Sequence, residues 1–162
     1  MKKLGEVGAE GFKSTVWEHR GRVWFVSDFD VDVDGSGGNP QNDPYFQPDT
    51  SLHHNGSAIN PYEVCGIVVP SWVPKSVGPI VLGCKARCTN LATMESRYCV
   101  VHDLGPTKKD GEGTPKLAIE LGINPNPNIG GEDEPIILYE LWPGIPATVD
   151  GVTFELQPMP LA

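Results

Sequence analysis

A chain of 162 residues has room for one ordinary hydrophobic core, and a single domain is the simplest reading. Its formal charge of −9, from 12 basic and 21 acidic side chains, disfavours nucleic-acid backbones and anionic membranes and suits a neutral or cationic partner. No apolar run reaches the ~18 residues that a membrane span needs. The opening MKKLGEVGAEGF is basic but lacks the apolar centre of a secretory signal. The expectation is a protein that acts where it is made, is released by lysis, or has lost a leader.

In chain order, residues 1–21 show no clear period and read as an N-terminal extension or edge segment ahead of one domain over 22–162. RVWFVSDF (22–29) is rich in β-branched and aromatic residues and predicts a strand. DVDVDGSGGNPQNDP, with its Gly, Pro, Asn and Asp, predicts a loop. NPYEVCGIVVP (60–70), PIVLGCKARC (79–88) and SRYCVVHD (96–103) are further strands, the last two flanking TNLATMES as a hairpin with a long loop. One short helix is expected after Thr114. That residue can cap it, Pro115 suits its first position, Leu117, Ala118 and Leu121 form its apolar stripe, and Gly122 ends it. PIILYELWPG (135–144) and GVTFELQP (151–158) complete the strands. With 19 glycines and 16 prolines for turns, the pattern predicts a mainly β fold, a small barrel-like single domain, of which the double-psi barrel is one form.

Cys84-x-x-x-Cys88 and Cys99, with His102 or Cys65, have the residue types of a zinc site but not its tight paired spacing. Free thiols in strands and a disulfide are the alternatives. Asp30, Asp32, Asp34 and Gly35 match the opening of a calcium loop, yet the twelfth position is Gln41 rather than the bidentate Glu, and neither flank reads as a helix. Another reading has Asp28, Asp30, Asp32 and Asp34 alternating along an extended segment, so that all four face one side and suit a cationic ligand. Tyr45 and Phe46, beside Gln47, Asp49 and Thr50 in a proline-bounded loop, have the chemistry to stack on a sugar ring and hydrogen-bond its rim. His53 and His54 are adjacent and would face opposite ways in a strand, which is poor geometry for one ion.

VVHDLGPTKKDGEGTPKLAIELGI (100–123) carries Asp103 out of an apolar strand into a turn, then Glu112 between two glycines ahead of the helix. Glycoside cleavage uses such a pair, one acid protonating the leaving oxygen and one carboxylate acting from the other face. Gly111 and Gly113 would let a polymer lie close to Glu112. Burial at a strand end leans Asp103 towards general acid, and proximity to a helix N-terminus leans Glu112 towards base.

These motifs, in this order from about Val23 to Gly144, resemble glycoside hydrolase family seventy-five, the endo-chitosanases first described in fungi. DFDVDVDG resembles the family's aspartate-rich stretch, DPYFQPDTSL its D-P-x-x-Q-x-x-T-S-L segment, and NPYEVCGIVVP its Pro-Tyr-x-Val strand. The 100–123 stretch resembles its D-x-G-P, basic loop and G-E-x-S pattern, and NPNPNIGG and ILYELWPG resemble its closing elements. The chain departs from the family at Gly113-Thr114 and at Trp142, where the family usually has Phe. The resemblance implies an inverting endo-hydrolase of β-1,4-linked glucosamine polymers with no organic cofactor, and no residue is assigned to a metal. Asp103 and Glu112 are then catalytic, and the binding groove is lined by Asp28, Asp30, Asp32, Asp34, Tyr45, Gln47, Asp49 and Thr50. Peptidoglycan glycan, cut by a phage or cell-wall enzyme of the same fold, is the alternative substrate. A non-catalytic carbohydrate-binding module is the alternative outside the enzymes.

Overall fold

The computed structural model describes residues 1–8, 13–78 and 81–158. Six strands close into a barrel: β3 (Arg22–Val31), β6 (Gly66–Pro70), β7 (Cys84–Asn90), β8 (Glu95–Gly105), β9 (Glu112–Gly113) and β10 (Glu132–Pro146). Around the wall the order is β3-β10-β7-β8-β6-β9 and back to β3. Two of the six pairings, β6 with β8 and β9 with β3, are parallel, and the other four are antiparallel. Closure leaves these strands without an open edge. Such a mixed six-stranded wall is compatible with a double-psi barrel.

Alternation sets which side chains fill the interior. Along β3, Val23, Phe25, Ser27 and Phe29 are buried and their even-numbered neighbours are part-exposed. Phe25 stacks on Tyr139 of β10 inside the core, with ring centroids 5.1 Å apart. Cys84, Cys88 and Cys99 lie on β7 and β8, Cys65 lies just ahead of β6, and all four are buried and unpaired. The outer face carries a row in register across the wall: Trp24 of β3, Glu140 of β10, Arg87 of β7 and Tyr98 of β8. Glu140 is 1% exposed and receives bonds from Arg22 (2.8 Å) and from Arg87 (2.8 and 3.1 Å). Arg87 also lies over the rings of Tyr98 and Trp142, and Arg22 lies over Trp24.

Among the described residues of the N-terminal 21, two strands stand at one edge of the sheet, as the edge-segment reading expects. They are β1 (Lys2–Val7) and β2 (Ser14–His19), which extend β3 through an Arg20-Gly21 turn with both φ angles positive. Val7 and Val16 enter the main core. The 79–88 strand begins only at Cys84, and its first two residues lie outside the described ones. The hairpin it makes with β8 is tight rather than long-looped: pairing runs to Asn90–Glu95 and Leu91–Met94 turn the chain. The 60–70 strand is confined to β6, because residues 61–63 turn. The final strand shrinks to β12 (Val152–Thr153), paired with β11 (Thr148–Val149).

Helix α2 (Pro115–Glu120) forms as the sequence predicts. The Thr114 hydroxyl accepts from the Leu117 and Gly66 amides and donates to the Val64 carbonyl, tying the helix start to the segment entering β6. A second helix, α1 (Trp72–Val77), was not expected. Its sequence is poor in helix formers, and Ser71 makes no side-chain cap. It is held by burial of Val73 and Pro74 and by docking: the Trp72 amide donates to the Thr107 carbonyl, and the Trp72 ring fills the space beside Gly5. No helix among the described residues is long and apolar enough to cross a membrane.

Candidate active site

Asp103 and Glu112 stand on β8 and β9, the two strands flanking β6, and both pair in register with Val68. Residues directly opposite one another share a face of the sheet. The two backbones are therefore two strand spacings apart, about 10 Å, with both side chains on the same side. A bulge makes this possible. Ile67 pairs with Val101 and Val68 pairs with Asp103, so His102 is the extra residue. Without it, Val68 would pair with His102, and Asp103, paired with Val69, would turn to the opposite face. His102 is fully buried against Gly66, where a Cβ would stand 2.5 Å from Nδ1, and burial keeps the imidazole on the neutral side.

Val68, Asp103 and Glu112 line an open groove of about 700 Å³. Six carboxylates border it, those of Asp32, Asp34, Asp43, Asp49, Asp103 and Glu112, against one lysine, Lys109. Tyr45 stands 86% exposed at the rim, with Gln47 beside it. Thr50 also borders the groove, but its hydroxyl donates to the Leu52 carbonyl. His53 pairs with Asp49 at 2.6 Å, while His54 packs on Phe154, so the two histidines do diverge.

Two of the expected lining residues do not border the groove. Asp30 sits just outside it, reached by the Lys109 ammonium at 3.4 Å. Asp28 lies beneath the 109–111 loop: the Gly111 carbonyl accepts from the Asp30 amide, and a Cβ on Gly111 would stand 2.2 Å from Asp28 Oδ1. The segment ahead of β9 runs alongside β3 there, the Asp30 amide bonding the Gly111 carbonyl and the Asp32 amide the Gly113 carbonyl. The glycines around Glu112 have a different role from the one expected. Gly111 has φ of +76° and packs on Asp28, and Gly113 leaves room for the Phe29 ring. Both face inward; neither clears a path for a polymer.

Asp103 and Glu112 have opposite surroundings. Asp103 Oδ1 accepts from the Ser51 amide (3.0 Å) and from the Leu104 amide (2.9 Å), which fix it as an acceptor. The Glu112 side chain is 13% exposed. Its carboxyl reaches over β6 to Gly105, where a side chain would touch it. Burial pushes it up to about 7, Lys109 at 3.1 Å pulls against that, and the Asp32 charge adds to it. Burial and then the Asp32 carboxylate raise Asp34 to about 7, and burial and Asp30 raise Asp28 to about 6. Asp32, Asp34 and Asp103 each bring one oxygen within 4.8 Å of the others, a set that could receive a cation.

Lys109, Asp43 and the Ser51 amide were missed from the sequence as site groups. For Lys109 a signal existed, since KKDGEG puts cations beside Glu112 in an otherwise acidic chain. Neither the models of known protein families nor the curated proteins compared with this chain give a match.

The raised carboxyls have a consequence for stability. Asp28, Asp34 and Glu112 hold protons in the folded chain at pH values where the unfolded chain has released them. Their contribution is fully present below about pH 4 and is lost as pH rises through about 6 to 7. Thermal denaturation is expected to give a higher Tm at pH 5 than at pH 8. A Tm that falls on acidification over that range contradicts the burial of these groups.

Proposed function

We propose that the protein is an inverting endo-glycoside hydrolase acting on β-1,4-linked glucosamine polymers. The observation that carries this reading is the register of Asp103 and Glu112 on either side of Val68, facing one acidic groove. Inverting enzymes hold their two carboxyl groups roughly 6.5–9.5 Å apart, with the attacking water between them and the sugar. The two backbones stand two strand spacings apart and the Glu112 carboxyl leans across β6 towards Gly105, so the acids are closer than the backbone spacing of about 10 Å. The six carboxylates of the groove suit a chain of glucosammonium units, and Tyr45 at the rim suits the apolar face of a sugar ring.

The roles follow from the surroundings and reverse the leaning taken from sequence. Glu112, raised to about 7 by burial, carries the proton and acts as general acid on the glycosidic oxygen. Asp103, held as an acceptor by two backbone amides, takes a proton from water as it attacks the anomeric carbon. The acid finishes ionised beside Lys109 and the base finishes protonated, so the pair is reset by exchange with solvent.

Release of reducing ends from chitosan tests the reading, with purified peptidoglycan as a parallel substrate. Release from chitosan is expected. Release from peptidoglycan alone would move the substrate to cell-wall glycan, and binding without release would make the protein a carbohydrate-binding module. Binding of glucosamine oligomers is also expected to weaken as salt rises, because the Debye length shrinks from about 10 Å at 0.1 M to about 3 Å at 1 M. Calorimetric titration at several salt concentrations reads this directly, and salt-independent affinity would remove the acidic groove from the binding step.

A further inference from the structure

We propose that the outer wall of the barrel is a second binding surface, for an acidic polysaccharide whose sugar rings carry carboxylates. This wall shares no residue with the acidic groove, and the inference stands independently of the hydrolase reading.

The outer row of Trp24, Glu140, Arg87 and Tyr98 is continued at one end by Trp17 of β2, which pairs with Trp24 and stacks on it with ring centroids 6.1 Å apart. Beside this row Trp142 of β10 pairs with Lys85 of β7. From Trp17 to Tyr98 the row crosses four strand spacings, about 19 Å along the wall, which suits a chain of rings rather than a single one. In a protein with 21 acidic and 12 basic side chains, the only acid in these rows is Glu140, and it is 1% exposed. The charge presented outward is that of Arg22, Lys85 and Arg87. Each of these cations lies over an aromatic ring. Lys85 is 4.7 Å from the Trp142 centroid and 5.2 Å from that of Tyr98, and Arg22 is 5.7 Å from that of Trp24. An aromatic face positions a cation without cancelling its charge, as a carboxylate partner would. Among the described residues no ion pair reaches Lys85. Glu140 engages two nitrogens of Arg87 and one of Arg22, which leaves further donors on both guanidinium groups, each about one third exposed, for an incoming carboxylate. Lys85 and the half-exposed Tyr98 also border a recess of about 370 Å³ with Ile145, Pro146 and Thr148, and no acid lines it. An acidic sugar fits these groups, its carboxylate towards a cation and its apolar ring face against Tyr98. The net charge of −9 does not oppose such contact at close range, because charges more than about 8 Å away are largely screened at 0.15 M salt.

The test is native electrophoresis of the full chain through gels holding graded amounts of polygalacturonate, a neutral glucan or inorganic polyphosphate. Wild type is expected to be retarded by polygalacturonate and not by the glucan. Lys85→Glu is expected to weaken that retardation about tenfold, and Tyr98→Ala to weaken it as well, while Lys85→Arg keeps it. Arg22 and Arg87 are left intact because they hold Glu140. Both weakened variants are expected to keep the wild-type Tm, which separates lost binding from lost folding. No retardation of wild type by polygalacturonate overturns the inference, and so does equal retardation of wild type and Lys85→Glu. Equal retardation by polyphosphate overturns it too, since bare charge would then suffice without a sugar ring. Sedimentation showing that this wall pairs two copies of the chain, with no polygalacturonate bound, would assign it to a dimer instead. None of these results alters a residue of the groove, so the hydrolase reading is tested separately by chitosan cleavage.

Discussion

Asp103→Asn and Glu112→Gln are each expected to cut turnover on glucosamine polymer by at least about a thousandfold, the upper range for loss of a positioned acid or base. The two variants should part on a substrate with a good leaving group. A glycoside of an acidic phenol needs little protonation, so it should recover much of the rate in Glu112→Gln and little in Asp103→Asn. Recovery in the opposite variant would exchange the two roles, and near wild-type turnover in either would remove that residue from the mechanism. Stability provides an independent check. The folded chain carries Glu112 with its acid strength shifted from 4.5 to about 7 by burial, so its ionised form is a cost above neutrality. Glu112→Gln is therefore expected to stabilise the fold at pH 8, by on the order of 1–3 kcal/mol, and much less at pH 5. Loss of activity with a gain in Tm would identify a group kept for chemistry at the expense of the fold.

Arg87→Met is expected to be among the most damaging substitutions on the outer face. Arg87 supplies two of the three bonds that hold the Glu140 carboxylate, which is 1% exposed. Removing the guanidinium leaves a buried negative charge with Arg22 as its single cation, a loss of roughly 3 kcal/mol. The same change also gives up the packing of Arg87 on Tyr98 and Trp142. Glu140→Met should cost less, although it deletes all three bonds. Arg22 and Arg87 are about one third exposed, so water can take over their donors, while the methionine fills the vacated space. Urea denaturation of the two variants should therefore rank Arg87→Met below Glu140→Met. The reverse order would show that the carboxylate is better solvated than its burial indicates.

Where the sequence could be read, the signal was local. The alternation of RVWFVSDF marks β3, the Thr114-Pro115 cap marks the start of α2, and the spacing of Asp103 and Glu112 marks the carboxylate pair. What could not be read depends on partners distant in the chain. Trp72 meets Gly5, and Val7 and Val16 meet the barrel core, so neither α1 nor the first two strands announces itself in its own segment. The surroundings of the two acids follow the same rule. Asp103 looked like the buried member because it ends an apolar strand, but its neighbours Ser51 and Leu104 supply amides, whereas Glu112 is covered by groups from β6 and β8. The pattern grouped Asp28 with Asp32, yet could not foresee that only Asp32 and Asp34 of the four border the groove.

The pairing of both acids with the single residue Val68 fixes the spacing of their backbones by a constant of the polypeptide. Two steps of backbone hydrogen bonding across a sheet vary little, however the loops around them lengthen, shorten or change sequence. On the proposed hydrolase reading, changes in the loops would retune which saccharides are accepted while the backbone spacing of the two acids stays.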